Sequence, residues 1–173
     1  KLKLNICLWI SWGDILKCKL KEFIELTTEE LYEILKLRAE VFVVEQNCPY
    51  QDLDGLDCAC YHVLGWHEEN QELVAYARIL PEGVDPYELV GEGDEHHGGI
   101  GRVVVAPQYR GIGHELMNHA IDAYHEKVGM DIPCIIHAQA HLKNFYESHG
   151  FKQSSDLCII DGIDHIEMTL QKF

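Results

Sequence analysis

The chain has 173 residues, 47% of them hydrophobic and 25% charged, which suits one globular domain around a single core. Its formal net charge of −15 argues against nucleic acid or an anionic membrane as partner, since either needs a basic footprint, and it admits a cationic substrate. Seven cysteines, an odd number at irregular spacing, argue against a disulfide framework and fit reduced thiols in a cytoplasmic protein.

Residues 1–16 stand apart. Lys1 and Lys3 precede an apolar run, Leu4 to Ile10, that Asn5, Ser11, Gly13 and Asp14 break. No small-residue cleavage site follows, and the run falls far short of the roughly 20 apolar residues of a membrane span. This stretch is read as non-native sequence or an extra strand, and 17–173 as one domain. Lys17 to Phe23 reads as an edge strand. Thr27-x-x-Glu30 is a capping box that opens a helix, with Leu31, Ile34, Leu35, Val41 and Phe42 in helical period. Arg38 interrupts that stripe and is expected to pair with a nearby carboxylate at a helix–loop junction, a substrate contact being the other reading. Tyr61 to Trp66 and Glu72 to Leu80 predict a strand pair, followed by a polar loop from Pro81 to His97. Ile100 to Val105 is short, apolar and β-branched, the pattern of a buried strand.

After a break at Pro107 to Gly113, Leu116, Met117, Ala120, Ile121 and Tyr124 share one helical face. Pro133 to Ala138 predicts a strand, and Leu142 to Ser148 a short helix stopped by Gly150. Leu157 to Ile160 and His165 to Leu170 flank the turn Asp161-Gly162 and predict a hairpin. The order β-α-β-β-β-α-β-α-β-β is that of a mixed α/β sheet.

The glycine-rich turn Gln108-Tyr109-Arg110-Gly111-Ile112-Gly113 lies directly between a strand and a helix. Glycines let backbone approach a ligand, and the first N–H groups of a helix, at the positive end of its dipole, face an anion. A pyrophosphate is the expected guest; a tight connection without ligand is the other reading. No Gly-Lys-Ser/Thr ending is present, which argues against a nucleoside triphosphatase, and the three-glycine dinucleotide pattern is absent. Cys58, Cys60 and His62 lack a second pair at zinc spacing, and Asp52, Asp54 and Asp57 lack the downstream glutamate of a calcium loop. No metal is therefore expected, and the aspartates are read as a solvated or helix-capping loop.

The turn matches the Gln/Arg-x-x-Gly-x-Gly/Ala motif of the GNAT acetyltransferases, in register with the helix after it. Val105-x-Pro107 resembles the end of that family's fourth strand, and Tyr146-x-x-x-Gly150-Phe151 its later helix and the strand beyond. The run from Val41 to Tyr50, with Ala75 to Leu80, Ala138 to Leu142 and Asp161 to Met168, is similar to the ElaA-like branch. The resemblance spans about Lys19 to Leu170. It implies an α/β GNAT (acyl-CoA N-acyltransferase) fold, a mixed and mostly antiparallel sheet flanked by helices, whose exposed edge strands suit a homodimer. It also implies acetyl-CoA as cosubstrate, held by Gln108, Tyr109, Arg110, Gly111, Ile112 and Gly113 at the pyrophosphate and by Val103 and Val105 along the pantetheine arm. Gln139 stands where many members carry an asparagine that contacts the cofactor.

The reaction so implied is direct attack of an amine, on a small molecule or a peptide, on the acetyl carbonyl. A lysine-like amine with a pKa near 10.4 is neutral in only about one molecule in 2500 at pH 7, a penalty of about 4 to 5 kcal/mol that a general base offsets. By resemblance Tyr146 assists departure of the CoA thiolate. Glu45, in the loop that lines the acceptor side, and His141, just before Tyr146, are the two candidate bases, Glu45 ranked first. Cys48 is a conceivable nucleophile for a ping-pong route, against a buried inert thiol. Two other readings stand beside this one. Arg38-x-x-Val41-Phe42 also resembles the early helix of acyl-homoserine lactone synthases, and a CoA-binding module without turnover would share the loop.

Overall fold

The structure is a computed structural model that describes residues 16–84 and 96–171. The N-terminal segment lies outside these residues except for Leu16, which belongs to the domain, and the polar loop 81–97 is described only at its ends. The strands are β1 (Leu16–Glu22), β2 (Tyr61–His67), β3 (Leu73–Leu80), β4 (Gly98–Val105), β5 (Cys134–Gln139), β6 (Phe151–Gln153), β7 (Cys158–Ile160) and β8 (Ile163–Leu170). The helices are α1 (Thr28–Arg38), α2 (Gly113–Lys127) and α3 (Lys143–Glu147). One sheet runs in the order β1-β2-β3-β4-β5-β8-β6, with β7 also paired to β8. Among the described strands only β4 and β5 are parallel. This is the mixed, mostly antiparallel sheet flanked by helices that the sequence implies. The pattern misses only β6 as an element, since two of its three residues are polar and exposed and the strand exists by pairing with β8.

All eight residues of β3 are buried, so both faces of the sheet are covered there. Tyr76 and Arg78 lie on the α1 face, and Ala75 and Ala77, alternating with them, leave room for α2 on the other. Leu116, Met117, Ala120, Ala123 and Tyr124 of α2 bury completely or nearly so, and the Tyr124 hydroxyl donates to Pro133 O at 2.8 Å.

The predicted capping box forms: Glu30 N–H donates to Thr27 Oγ1 at 3.1 Å and Thr27 N–H to Glu30 Oε2 at 3.0 Å. Past Arg38 the chain continues as a π-helix, Ala39–Glu45, where a loop was expected from Glu45 on. Gln46 N–H reaches back to Val41 O and Cys48 N–H to Val43 O, each five residues away. The buried stripe is Ile34, Leu37, Arg38 and Val41, at i, i+3, i+4 and i+7, with Leu31, Leu35 and Phe42 half-buried.

Arg38 is fully buried and pairs with carboxylates, as expected, though they come from the aspartate loop read as solvated. Its Nε bonds Asp52 Oδ2 at 2.8 Å and its Nη1 bonds Asp57 Oδ1 at 2.9 Å. Arg78 bridges Asp54 and Asp57, with Nη2 to Asp54 Oδ2 at 2.6 Å and Nη1 to Asp57 Oδ1 at 2.8 Å. Arg102 reaches Asp52 Oδ1 at 2.8 Å and Asp54 Oδ2 at 3.1 Å. The aspartates therefore form neither a solvated nor a capping loop. Asp52 and Asp57 are buried, and the three carboxylates are the counter-ions of three guanidinium groups. Although burial opposes it, the arginines hold the Asp54 carboxyl down at about 2 and lower that of Asp57.

Asp57→Ala would remove a partner from two buried arginines at once. Breaking a buried ion pair from one side costs about 3 to 5 kcal/mol. The melting temperature of this variant should fall by many degrees, whereas Glu33→Ala, which loses only an exposed pair with Lys36, should melt like the parent protein.

Candidate active site

The site begins where the sheet comes apart. β4 and β5 pair only at Gly98↔Cys134 and Gly99↔Ile135. The approach there needs glycine, because a Cβ on Gly99 would lie 2.6 Å from Ile135 O. Further along, Arg102 takes a left-handed φ of 49° and the register against β3 shifts between Tyr76 and Arg78. A non-glycine residue in that region marks a β-bulge under strain. Beyond it β4 stays with β3, β5 stays with β8, and a wedge opens between them. Ala106 N–H donates to Val74 O on β3 at 2.8 Å, so strand alternation turns the backbone N–H and C=O of Val103 and Val105 toward the wedge. These are the groups that could pair with an extended amide-bearing arm.

The wedge holds an open cleft. Val103, Gln139 and Tyr146 line it, together with Cys48, His137 and His165. The Tyr146 ring is buried edge-on between Phe145 and Phe151, at centroid distances of 5.0 and 6.0 Å. A buried tyrosine hydroxyl ordinarily has a hydrogen-bond partner; this one has none among the described residues. Burial pushes its pKa up to about 12, so at neutral pH it is a donor. Gln139, at the end of β5, donates from Nε2 to Gln46 Oε1 at 3.0 Å and so ties β5 to the loop after α1.

The Gln108–Gly113 turn winds as a 3-10 helix, Pro107–Ile112, that runs straight into α2. No side chain caps the α2 N-terminus. Tyr109 N–H already donates to Ala106 O at 2.8 Å and Gly113 N–H to Arg110 O, so not every N–H of the turn is open to a ligand. The Tyr109 ring packs on His67, at 5.0 Å, and its hydroxyl meets Asn70 on the β2–β3 hairpin. Neither glycine is demanded by the fold. A Cβ on Gly111 would meet nothing within 4 Å, and one on Gly113 only Phe145 carbons at 3.7 and 3.9 Å. Gly113 has ordinary right-handed helical angles. A bare surface that neither backbone nor packing requires, at an uncapped helix start, fits a pyrophosphate.

The two candidate bases lie elsewhere than in the cleft wall. Glu45 is exposed at the end of the π-helix and pairs with Arg110. His141 is exposed in the 3-10 turn after β5. The Cys48 thiol donates to Asp161 O at 3.4 Å. His62 is engaged at both ring nitrogens, by the Tyr76 hydroxyl and Asp57 O, while Cys58 is exposed and Cys60 buried. No group of three or more metal-ligating side chains occurs among the described residues. The sequence reading passed over His137 and His165 because both sit in apolar strands. The signal was present in strand alternation, which puts His137 and Gln139 on one face of β5 and pairs Gln139 with His165.

A family model described as an acetyltransferase (GNAT) domain matches residues 59–172. ElaA of Escherichia coli (strain K12) is 43% identical over 166 residues, covering 92% of this chain and 95% of that protein. The chain belongs to the ElaA-like branch of the GNAT superfamily. The crystal structure of Escherichia coli ElaA aligns with this GNAT domain at a TM-score of 0.76 and 40% identity, over 90% of this chain and 99% of the other. A crystal structure of an acyl-CoA N-acyltransferase from Pseudomonas aeruginosa aligns at 0.78 and 39% identity, over 90% of this chain and 100% of the other. The AHL synthase LasI shares the fold, with a TM-score of 0.65 at 15% identity over 91% of this chain and 90% of the other. The GNAT domain is thus that of an acyl-CoA-dependent acyltransferase, and the wedge, the bare turn and the uncapped helix are the parts that suit an acyl-CoA.

Because its backbone angles accept any residue, Gly113→Ala should stabilise the ligand-free protein by about 0.4 to 1 kcal/mol. If the turn carries the pyrophosphate, the same methyl group crowds it. A higher melting temperature together with weaker acetyl-CoA binding by calorimetry is the expected result, and Gly113→Val should weaken binding further.

Proposed function

We propose that the protein transfers an acetyl group from acetyl-CoA to an amine by direct attack, in the cytoplasm and without a metal. The observation that carries this is the Tyr146 hydroxyl, which lines the wedge and lacks a hydrogen-bond partner among the described residues. The thioester sulfur would supply that partner. A thiolate of pKa near 8.5 is a weaker base than a tyrosinate of about 12, so Tyr146 acts first as a hydrogen-bond donor to the departing sulfur. Full proton transfer to sulfur is completed as the second amine proton is lost. The pyrophosphate rests on the turn from Gln108 to Gly113, and the pantetheine amides pair with Val103 and Val105. The bare Gly111 and Gly113 favour CoA over a carrier protein as acyl source, and so favour this reading over a lactone synthase.

The acceptor is an amine of a small molecule or a peptide. The net charge of −15 favours an acceptor that arrives as an ammonium ion and leaves as a neutral amide.

Tyr146→Phe keeps the ring between Phe145 and Phe151 and removes only the hydroxyl. Loss of the donor should lower kcat about 10²- to 10⁴-fold, with acetyl-CoA affinity and melting temperature nearly unchanged. A tyrosine that only packs would give the opposite pattern, and full turnover by the variant from neutral to alkaline pH would end this assignment. The assay is thiol release from acetyl-CoA over a panel of amines.

A further inference from the structure

The amine must lose a proton before it can attack, and the cleft wall offers a different group for this from the two nominated by sequence. His165 is the third residue of β8 and is almost fully buried. Its Nδ1 lies 2.8 Å from the carbonyl oxygen of Ile163. A carbonyl can only accept, so the neutral ring carries its proton on Nδ1 and the lone pair on Nε2. Nε2 has no partner among the described residues and is not among the polar atoms sealed from solvent. His165 lines the cleft, and pairing with Gln139 places it level with the end of β5, where the strands have parted. A fixed tautomer with its basic nitrogen open to the cleft is the arrangement a general base requires.

From these observations we infer that His165 is the general base, with Nε2 receiving the proton of the acceptor ammonium. The inference rests on the amine-acetylation reading. One proton passes from R–NH3⁺ to Nε2, and the neutral nitrogen then attacks the acetyl carbonyl carbon. The C–N bond forms, and the tetrahedral intermediate collapses with cleavage of the C–S bond, whose electron pair goes to sulfur. The second amine proton goes to the thiolate, and His165 returns its proton to solvent. The products are the N-acetyl amine, CoA thiol and one proton.

The other titratable or charged groups of the cleft wall are His137 on β5, Asp161 in the β7–β8 turn, Cys48 and Tyr50 from the loop after α1, Arg102 on β4, and Tyr146. Arg102 is committed to Asp52 and Asp54, and Cys48 to Asp161 O. Tyr50 donates to Asp52 Oδ1. Tyr146, with its pKa of about 12, stays protonated. His137 is the one other imidazole in the wall and has interactions of its own. His165 combines an open Nε2 with a tautomer fixed by backbone.

The test compares His165→Asn, His165→Gln and His137→Gln with the parent in thiol release from acetyl-CoA. The acceptor is a primary amine that the parent acetylates, and the pH runs from 7 to about 10.5. Asparagine at 165 can still donate to Ile163 O, and glutamine is a second variant should it fold poorly; melting temperatures check both. At pH 7 the His165 variants should be about 10²- to 10⁴-fold slower. Because the amine loses its own proton near pH 10.4, the ratio of parent to variant should shrink steeply toward the alkaline end. A purely structural role would leave that ratio flat, and a flat ratio or near-parent rates at pH 7 would overturn the assignment. So would the same pH-dependent loss in His137→Gln with His165→Asn unaffected. If the parent binds acetyl-CoA but releases thiol with no amine, the amine-acetylation reading fails and takes the base with it.

Discussion

Three arginines and three aspartates, closed off from most solvent, fix the geometry on which the site depends. Arg38 belongs to α1, Arg78 to β3 and Arg102 to the bulge of β4, while Asp52, Asp54 and Asp57 belong to one irregular loop. The loop has little regular structure of its own, so the charges decide its path. A buried pair is weak as a source of net stability, because desolvation offsets most of the attraction, yet it tolerates few alternative arrangements. That suits a loop whose neighbouring residues, Cys48 and Tyr50, form one wall of the cleft. Asp54 and Asp57 titrate lower in the folded chain than in the unfolded one. Their contribution is complete above the ordinary aspartate value near 3.9 and is lost as pH falls below it, toward about 2 for Asp54. The network therefore holds throughout the neutral and alkaline range.

The same network explains how a strained bulge persists. A non-glycine residue with left-handed φ costs on the order of 1 to 3 kcal/mol. Arg102 takes that conformation with its guanidinium held by Asp52 and Asp54, so the strain is opposed by charge-assisted hydrogen bonds. The consequence is the parting of β4 from β5. Glycines play two distinct parts along this path. Gly98 and Gly99 are required by packing, since a Cβ on either would strike backbone of the neighbouring strands. Gly111 and Gly113 are required by nothing within the protein, which is what supports the proposal that they face a ligand.

Much of this was legible in the sequence. The capping box at Thr27, the turn at Asp161-Gly162, the helix stop at Gly150 and the buried face of α2 are local signals, and each appears where local chemistry puts it. What was not legible depends on contacts distant in sequence. The aspartates look solvated because their counter-ions stand 14 to 50 residues away. The π-helix is invisible to a pattern search built on a 3.6-residue period. β6 is too short and too polar to announce itself. The histidines of the wall were missed for a related reason. His165 reads as a polar interruption of an apolar strand until the pairing of β5 with β8 shows which face it shares with Gln139.

The charge of the chain sets a last constraint on how the two substrates are held. A net charge of −15 draws in an ammonium ion but repels a pyrophosphate. At physiological salt the repulsion is screened over about 8 Å, whereas hydrogen bonds at a helix start act at contact. An anionic cosubstrate on such a protein must therefore be bound by short-range donors, the N–H groups of an uncapped helix and the backbone of a parted strand. The long-range field remains free to favour the cationic acceptor. On the reading proposed above, the turn at Gln108 to Gly113 and the open edge of β4 supply the first, and the net negative charge supplies the second. Acetylation as proposed would remove the positive charge that the field attracted, so the product would lose the attraction that brought the substrate in.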